Sequence, residues 1–295
     1  MNEMPLVSIV MPSLNQAQFI GAAIESVLNQ DYSNLELIIA DGGSDDDTHA
    51  LLAQKQKEDA RLNWFSGKDT GPANAINKAL MKVRGTLIGW LNSDDLYTQG
   101  AVSRVVDAFT NHKEWIMIYG QGEHIDANGN RLDLYPTLLP ATPIERFADG
   151  CFICQPTVFF RRTQFILLGQ LDEDLKTSFD FEYWLRAFRQ LSGRIGFVDA
   201  LQAQSRLHDA CITRSMRRKV ALEGIQVLHR HFGHAPIHWA LTYINELIMQ
   251  QNVLESTTLL NDQIESFIGE ASCYLNDSEL HRLRQELLKN AILEK

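Results

Sequence analysis

The sequence predicts an α/β fold: a mixed, mostly parallel sheet flanked by helices, with a C-terminal helical extension. Two observations support this fold class. Apolar, β-branched runs alternate with segments of helical periodicity over about the first 100 of the 295 residues, an alternation typical of parallel sheets covered on both faces. From residue 216 onward, helical segments follow one another without a strand. We therefore expect one domain over residues 1–215 and a helical extension over residues 216–295.

The individual elements follow from the spacing of apolar residues and from turn residues. Residues 6–11 form an apolar run that Pro12 ends, because proline has no backbone N–H to donate to a sheet. The other predicted strands cover residues 35–40, 62–65, 86–91, 115–120, 151–160 and 195–198. The predicted helices cover residues 18–30, 48–58, 73–83, 101–109, 179–191, 216–232, 236–252, 255–274 and 277–293.

Polar clusters follow the first, second and fourth strands, at residues 12–15, 41–47 and 92–95. Loops at the carboxyl ends of parallel strands converge on one crevice, which is where open α/β sheets bind ligands. Asp94 and Asp95 are adjacent carboxylates, and a divalent cation such as Mg²⁺ or Mn²⁺ would relieve their repulsion. An Asp-rich helix cap is the alternative for this pair. The sequence therefore predicts a ligand site at this edge of the sheet.

The loop after the second strand has features suited to a flat base. The Asp41 carboxylate can accept the imide or amide hydrogen of a pyrimidine, and Gly42 and Gly43 let the backbone approach a ring closely. The sequence has no Walker-type phosphate loop and no glycine-rich dinucleotide motif after the first strand. The sequence therefore disfavours a classical dinucleotide-binding site and a P-loop.

Composition narrows the classes of partner. The chain has 27 Lys and Arg against 37 Asp and Glu, a net charge of -10, which disfavours nucleic acid as the main partner. No apolar run approaches the roughly 18 residues that a membrane span needs, and the N-terminus lacks a signal-peptide pattern. We expect a cytoplasmic protein, with peripheral contact at the inner face of the membrane as an open alternative.

Seven segments, taken in order, resemble the motifs of family 2 glycosyltransferases with the GT-A fold. They are VMPSLN at residues 10–15, ADGGSDDDT at 40–48, KDTGPANAINK at 68–78, LNSDD at 91–95, QPTVFF at 155–160, DFEYWLR at 180–186 and RLH at 206–208. The resemblance implies an inverting, metal-assisted glycosyltransferase. Such an enzyme would move a hexose or N-acetylhexosamine from a UDP-sugar to a saccharide or lipid-linked glycan acceptor in surface polysaccharide biosynthesis.

The resemblance also implies roles for individual residues. The nucleotide-sugar site would comprise Pro12, Asn15, Asp41, Asp69, Asn74, Lys78, Asn92, Ser93 and Asp94. Mn²⁺ or Mg²⁺ would be held by Asp94, Asp95 and His208. Asp180 matches the catalytic base, and proton acceptance by such a group is typically worth about 10²–10⁴ in rate. The candidates on the acceptor or diphosphate side are Gln155, Glu182, Trp184, Arg206 and Arg214.

Departures from the family pattern keep several alternatives open. They are Asn74 in place of Asp, Ala79 in place of Gly, Asn92 in place of the first Asp of the metal motif, and Phe179 in place of Glu. Because asparagine has no charge, the alternative function is a non-catalytic nucleotide-sugar or glycan-binding module with a helical assembly tail. Two structural alternatives are also open. Asp180 could be a carboxylate favoured by the helix dipole, and Trp184 could be a core residue. The apolar positions of the tail fit packing within the chain or a homo-oligomer.

Overall fold

The first four strands form the parallel half of the sheet. The computed structural model describes residues 4–250 and 257–289. The strands β1 (Val7–Ser13), β2 (Leu35–Asp41), β3 (Leu62–Ser66) and β4 (Leu87–Trp90) lie parallel in the order β3-β2-β1-β4. Both β1 and β2 are buried along their whole length, which is typical of central strands covered on both faces.

The later strands make the sheet mixed. They are β5 (Leu96–Tyr97), β6 (Met117–Ile125), β7 (Arg131–Leu134), β8 (Phe159–Arg161) and β9 (Ile195–Arg206). The order continues from β4 as β8-β6-β9-β5, and β7 pairs with β6. β6 and β9 run parallel, whereas β8, β5 and β7 are antiparallel to their neighbours. The predicted fold class, a mixed sheet flanked by helices, is confirmed.

Six α-helices accompany these strands within residues 4–208. They are α1 (Ile20–Leu28), α2 (Thr48–Glu58), α3 (Pro72–Leu80), α4 (Ala101–Asn111), α5 (Gln164–Leu168) and α6 (Phe179–Gln190). The apolar faces of α1 and α4 pack with β1, β2 and β4 into one core. The helix α2 has the bounds predicted from the sequence. Burial of these apolar faces directs the polar loops after β1, β2 and β4 to the carboxyl edge of the sheet.

Three predicted strands differ from the structure, and the one predicted at residues 115–120 is found at Met117–Ile125. Over residues 151–160, a 3-10 helix at Gln155–Thr157 comes first, and β8 begins only after it. Pro156 lacks an N–H, and the Thr157 hydroxyl donates to the Cys154 carbonyl at 2.8 Å, so the chain turns here instead of extending. The strand predicted at 195–198 continues to Arg206, because β6 pairs with it along that length.

The C-terminal part is helical, as predicted. Its helices are α7 (Ile212–Ser215), α8 (Arg217–Phe232), α9 (His238–Gln250), α10 (Thr257–Ala271) and α11 (Asp277–Lys289). Residues 236–237 and 272–274 are predicted as helix and lie outside α9 and α10, whereas residues 251–252, 255–256 and 290–293 of the predicted helices lie outside the described residues. Among the residues that are described, no helix is long and apolar enough to cross a membrane.

Contacts group the chain into two compact units. The first comprises the chain up to Ile144 together with Cys151–His208, and the second comprises Glu145–Gly150 and the chain from Asp209 onward. The short segment belongs to the second unit, in which the Trp239 indole N–H donates to the Ala148 carbonyl at 2.7 Å. The predicted boundary between residues 215 and 216 lies inside this second unit.

Candidate active site

The loops after β1 and β2 are bonded to each other at the carboxyl edge of the sheet. Asn15 has a left-handed φ of 53°, which asparagine tolerates better than most residues. Its N–H donates to Ser44 Oγ at 2.8 Å, and its Oδ1 accepts from the Asp45 N–H at 2.9 Å. Pro12 is buried in β1, beside Ala40 of β2, while Asn15 is exposed. Of these two predicted nucleotide-site residues, Asn15 is the one that a ligand can reach.

Asp41, the predicted base-reading carboxylate, is engaged by the protein itself. Its Oδ2 accepts from the N–H groups of Gly43 and Ser44 at 3.0 Å and lies 2.7 Å from both the Ser66 hydroxyl and the His49 ring. Burial by itself raises the pKa, but the hydrogen bonds from Ser44, His49 and Ser66 outweigh burial and lower the pKa of Asp41 to about 2. The side chain has no exposed surface, so Asp41 organises the loop.

Asp69 occupies the space above the end of β2. Its Oδ1 accepts from the Gly71 N–H at 2.9 Å. A Cβ atom added to Gly42 would lie 2.7 Å from Asp69 Oδ2, so a larger residue at position 42 would displace this carboxylate. The Lys78 ammonium donates to the Lys68 carbonyl at 3.2 Å, which ties the loop to α3. Asp69 is half-buried and presents a carboxylate at the crevice where Asp41 does not.

Asn92 and Gln155 hold each other beside β4. The Asn92 amide donates to Gln155 Oε1 at 2.9 Å, and Gln155 Nε2 donates to the Trp90 carbonyl at 2.8 Å. The Trp90 indole N–H in turn donates to Asn92 Oδ1 at 3.1 Å. Ser93, also predicted in the nucleotide-sugar site, is buried. This closed ring of hydrogen bonds positions the backbone that carries Asp94.

Asp94 and Asp95 point to different partners. Asp94 Oδ2 lies 3.1 Å from His208 Nε2, and the Asp94 side chain is 17% exposed. Asp95 is buried, and its Oδ1 accepts from the Arg206 N–H at 2.8 Å while its Oδ2 accepts from Asn92 at 3.2 Å. Burial, and then the charge of Asp94, raise the pKa of Asp95 well above its ordinary value.

The three predicted metal ligands therefore do not form one group. Within residues 4–250 and 257–289, no cluster of three His, Cys, Asp or Glu side chains could hold a metal ion. Both oxygens of Asp95 are engaged by the protein, one by the Arg206 N–H of β9 and the other by the Asn92 amide. Asp94 and His208 remain together, and a carboxylate oxygen beside an imidazole nitrogen is a donor pair that suits Mn²⁺.

Asp180 lies in the first turn of α6. It is partly buried, and its Oδ1 accepts from the Phe181 N–H at 2.7 Å. Burial raises the pKa of Asp180 to about 6, although its backbone hydrogen bonds act in the opposite direction. The preceding residue, Phe179, stacks on Trp90 with ring centroids 5.5 Å apart. The packing of these rings fixes the start of α6 against the end of β4.

Ring packing and one hydrogen bond connect the start of α6 to the loop after β4. Phe179, the first residue of α6, stacks on Trp90, and the Trp90 indole N–H donates to Asn92 Oδ1 in that loop. The helix turn that carries Asp180 therefore begins against the strand that leads into the Asp94 loop. Burial, and then the charges of Asp95, Cys151 and Asp180, raise the pKa of the Cys154 thiol well above its ordinary value.

Two acceptor-side candidates are core residues. Trp184 has no exposed surface and lies 6.2 Å from Trp90, measured between ring centroids, so it packs inside the domain and cannot stack on an acceptor sugar. Glu182 is buried and pairs with Arg186 at 2.7 Å. The sequence reasoning did not exclude them, because a residue near the N-terminus of a helix faces either the crevice or the core depending on packing.

Arg206 and Arg214, the two arginines predicted on the acceptor or diphosphate side, differ in burial and in their partners. Arg206 is buried, and its guanidinium donates to the carbonyl of Asp94 at 2.8 Å and to those of Asp126 and Ala127 at 3.1 Å. It therefore supports the loop that carries Asp94. Arg214 is half-exposed and lies 3.6 Å from Asp209 within the second unit, and its role toward a diphosphate stays a prediction.

Sequence reasoning missed Glu173. Its Oε2 accepts from the Asn74 amide at 2.6 Å, and its Oε1 accepts from the Asn77 amide at 2.8 Å. Asn74, predicted in the nucleotide-sugar site, thus turns its donor group to Glu173. Glu173 and Asn74 are 99 residues apart in sequence, and no local pattern relates them.

The chain matches Glycosyl transferase family 2 over residues 8–168. It is 30% identical over 218 residues to an uncharacterized glycosyltransferase of Rickettsia bellii, covering 69% of this chain and 30% of that protein. It is 30% identical over 186 residues to chondroitin synthase of Escherichia coli, covering 63% of this chain and 27% of that protein. It spans 39% of the length of another relative, an uncharacterized glycosyltransferase of Rickettsia conorii.

Solved structures show the same fold. S. aureus TarS 1-349 in complex with UDP-GlcNAc has a TM-score of 0.65 and 15% identity, covering 97% of this chain and 89% of that chain. The same protein in complex with UDP has a TM-score of 0.60 and 16% identity, with the same coverage. At this identity the likeness concerns the fold, a mixed sheet with flanking helices.

Proposed function

The chain belongs to glycosyltransferase family 2, and we propose that it transfers a hexose or N-acetylhexosamine from a UDP-sugar to a saccharide or lipid-linked glycan acceptor, with inversion, in surface polysaccharide biosynthesis. One observation carries the chemical part of this proposal. Asp180, whose pKa burial raises to about 6, lies in the first turn of α6, and that helix begins at Phe179, which stacks on Trp90 of β4, the strand followed by the Asp94 loop. A base that titrates just below neutral pH is well matched to taking a proton from a hydroxyl.

The proposed reaction is a single displacement. The acceptor hydroxyl oxygen bonds to the anomeric carbon while the bond from that carbon to the diphosphate oxygen breaks. Asp180 receives the hydroxyl proton, and the electron pair of the broken bond leaves on the nucleoside diphosphate. One attack from the face opposite the leaving group inverts the anomeric configuration, so a single base suffices.

Asp69 is our candidate for recognition of the uracil base. Its Oδ2 lies over Gly42 at the end of β2, and a carboxylate oxygen can accept the N–H of a uracil ring. Asp41 is the weaker candidate because its oxygens already accept hydrogen bonds from the loop. The choice of UDP is supported by solved structures of the same fold in complex with UDP and UDP-GlcNAc.

Asp94 and His208 are our candidates for holding a divalent cation. Their donor atoms lie 3.1 Å apart, and one carboxylate with one imidazole favours Mn²⁺ over Mg²⁺, which prefers oxygen ligands. When bound, the ion would neutralise charge on the departing diphosphate. Asp95 would keep the loop in place through the Arg206 N–H.

A donor panel tests the proposed function. The protein is incubated with UDP-, GDP- and dTDP-sugars, Mn²⁺ and a set of saccharide acceptors, and released nucleoside diphosphate is measured. We expect release from a UDP-sugar and its loss in excess chelator. Binding of UDP without release from any donor would instead support a nucleotide-sugar-binding module, and normal turnover in chelator would remove the metal from the proposal.

A further inference from the structure

The segment between α5 and α6 is fastened to α3 by paired hydrogen bonds. We call residues 171–177 the Glu173 loop. Buried Asn77 of α3 donates to the Leu171 carbonyl at 3.0 Å and accepts from the Leu171 N–H at 3.1 Å. Glu173 completes the attachment with one carboxylate oxygen on Asn74 and the other on Asn77. These bonds pair the amide nitrogens of Asn74 and Asn77, and breaking them would leave those groups without these partners.

The Glu173 loop lies between the two halves of the candidate site. On one side, the stem of Lys176 reaches within 3.4 Å of the position of a Cβ on Gly71, the residue whose N–H donates to Asp69. On the other side, the loop runs directly into α6, whose first turn holds Asp180. A displacement of this loop on α3 would therefore move the base relative to the donor-side loop.

We propose that Glu173 is a positioning residue that holds the Glu173 loop on α3 and thereby fixes Asp180 relative to the nucleotide-sugar. This inference rests on the proposed function. The hydrogen bond between Asn74 and Glu173 also explains why residue 74 is an asparagine. A carboxylate at this position would face the Glu173 carboxylate at 2.6 Å, whereas the amide donates to it. Glu173 itself touches no reacting atom in this proposal, and it acts through the loop.

The test compares Glu173→Ala with Asp174→Ala, a matched control, since Asp174 is the exposed neighbouring carboxylate. We expect Glu173→Ala to lower kcat about tenfold or more, because a displacement of about 1 Å costs up to 10²-fold, with UDP affinity unchanged. Asp174→Ala should keep both values. Hydrogen exchange of the amides in residues 171–181, measured without substrate, should rise only in Glu173→Ala.

A double-mutant cycle separates positioning from general damage. Asn74→Asp should lower kcat through repulsion with Glu173. Adding Glu173→Gln should restore kcat by about tenfold, since the new amide can donate to Asp at 74 and still accept from Asn77. If Asn74→Asp does not fold, the double variant still should, because its set of contacts is preserved.

Three results would overturn the inference: unchanged exchange in Glu173→Ala, unchanged kcat in that variant, or a double variant no better than Asn74→Asp. A wild-type protein that turns over no donor would contradict the proposed function instead. The exchange measurement would then still decide whether Glu173 holds the loop.

Discussion

Replacing Asp180 by Asn is the sharpest perturbation of the candidate site. The two side chains have the same shape, and asparagine Oδ1 can still accept from the Phe181 N–H, 2.7 Å away in the wild type. The variant therefore removes the charge and the basicity with little change in packing. We expect kcat to fall by about 10²–10⁴, the usual contribution of a general base.

The same substitution should stabilise the protein. Burial raises the pKa of Asp180 from 3.8 to about 6, so the folded state binds more protons than the unfolded state between these two pH values. Stability contributed by this residue is thus present below pH 3.8 and is lost as the pH rises through about 6. Removing the ionised form should raise the free energy of unfolding at neutral pH by up to about 3 kcal/mol.

The turnover of the wild type should rise with pH, whereas the stability contributed by Asp180 falls. Protonated Asp180 cannot accept a proton, so kcat should fall below about pH 6. The groups that interact electrostatically with Asp180 are Tyr135, Cys151 and Cys154, and burial raises the pKa of each. They stay neutral in this window, so their own ionisation adds nothing to this pH dependence.

The assay measures UDP release across pH, UDP affinity by calorimetry and thermal unfolding, with Asp174→Asn as the control. Lower turnover at unchanged UDP affinity, together with higher stability, is the expected result. Equal losses of UDP binding and turnover would mark Asp180 as structural, and wild-type turnover in Asp180→Asn would refute the reasoning.

Three further predictions follow from the contacts of the other carboxylates. Asp94→Ala and His208→Ala should each weaken Mn²⁺ activation of turnover by about 10-fold or more, because loss of even an outer-shell partner of a metal ligand costs about 10–100-fold. An unchanged Mn²⁺ titration would contradict the pairing. Asp69→Asn should weaken UDP binding about 10-fold and favour CDP, because the amide can donate to cytosine N3. Asp45→Asn, at an exposed position, is the control. Equal UDP affinity in Asp69→Asn and the wild type would exclude Asp69 as the residue that recognises the base. Asp41→Asn should destabilise the fold by about 2 kcal/mol at pH 7. In the wild type, the stability contributed by ionised Asp41 is present above pH 3.8 and is lost as the pH falls toward about 2. An unchanged melting temperature in the variant would contradict this prediction.

Local patterns were sufficient for most elements of the first domain. The helix at 48–58 and the strands beginning at Leu35 and Leu62 agree with the structure. Apolar spacing reports burial directly in the strand from Leu35, whereas the helix buries only Thr48 and Leu52 and its prediction rests on the polar loop that precedes it. The prediction was wrong over residues 151–160. That segment is apolar because it is buried, and burial does not distinguish a strand from a 3-10 turn followed by a short strand.

The alternation of strands and helices, the family and the three polar loops at one edge could all be predicted from the sequence, because periodicity and motif order are properties of consecutive residues. Which of two neighbouring side chains remains accessible depends on long-range packing, and no local pattern contains it. Asp94 and Asp95 are chemically identical in sequence, and the β9 backbone engages one of them. Glu173 and Asn74 are 99 residues apart in sequence. They lie within hydrogen-bonding distance because two distant segments pack together, which no local preference predicts.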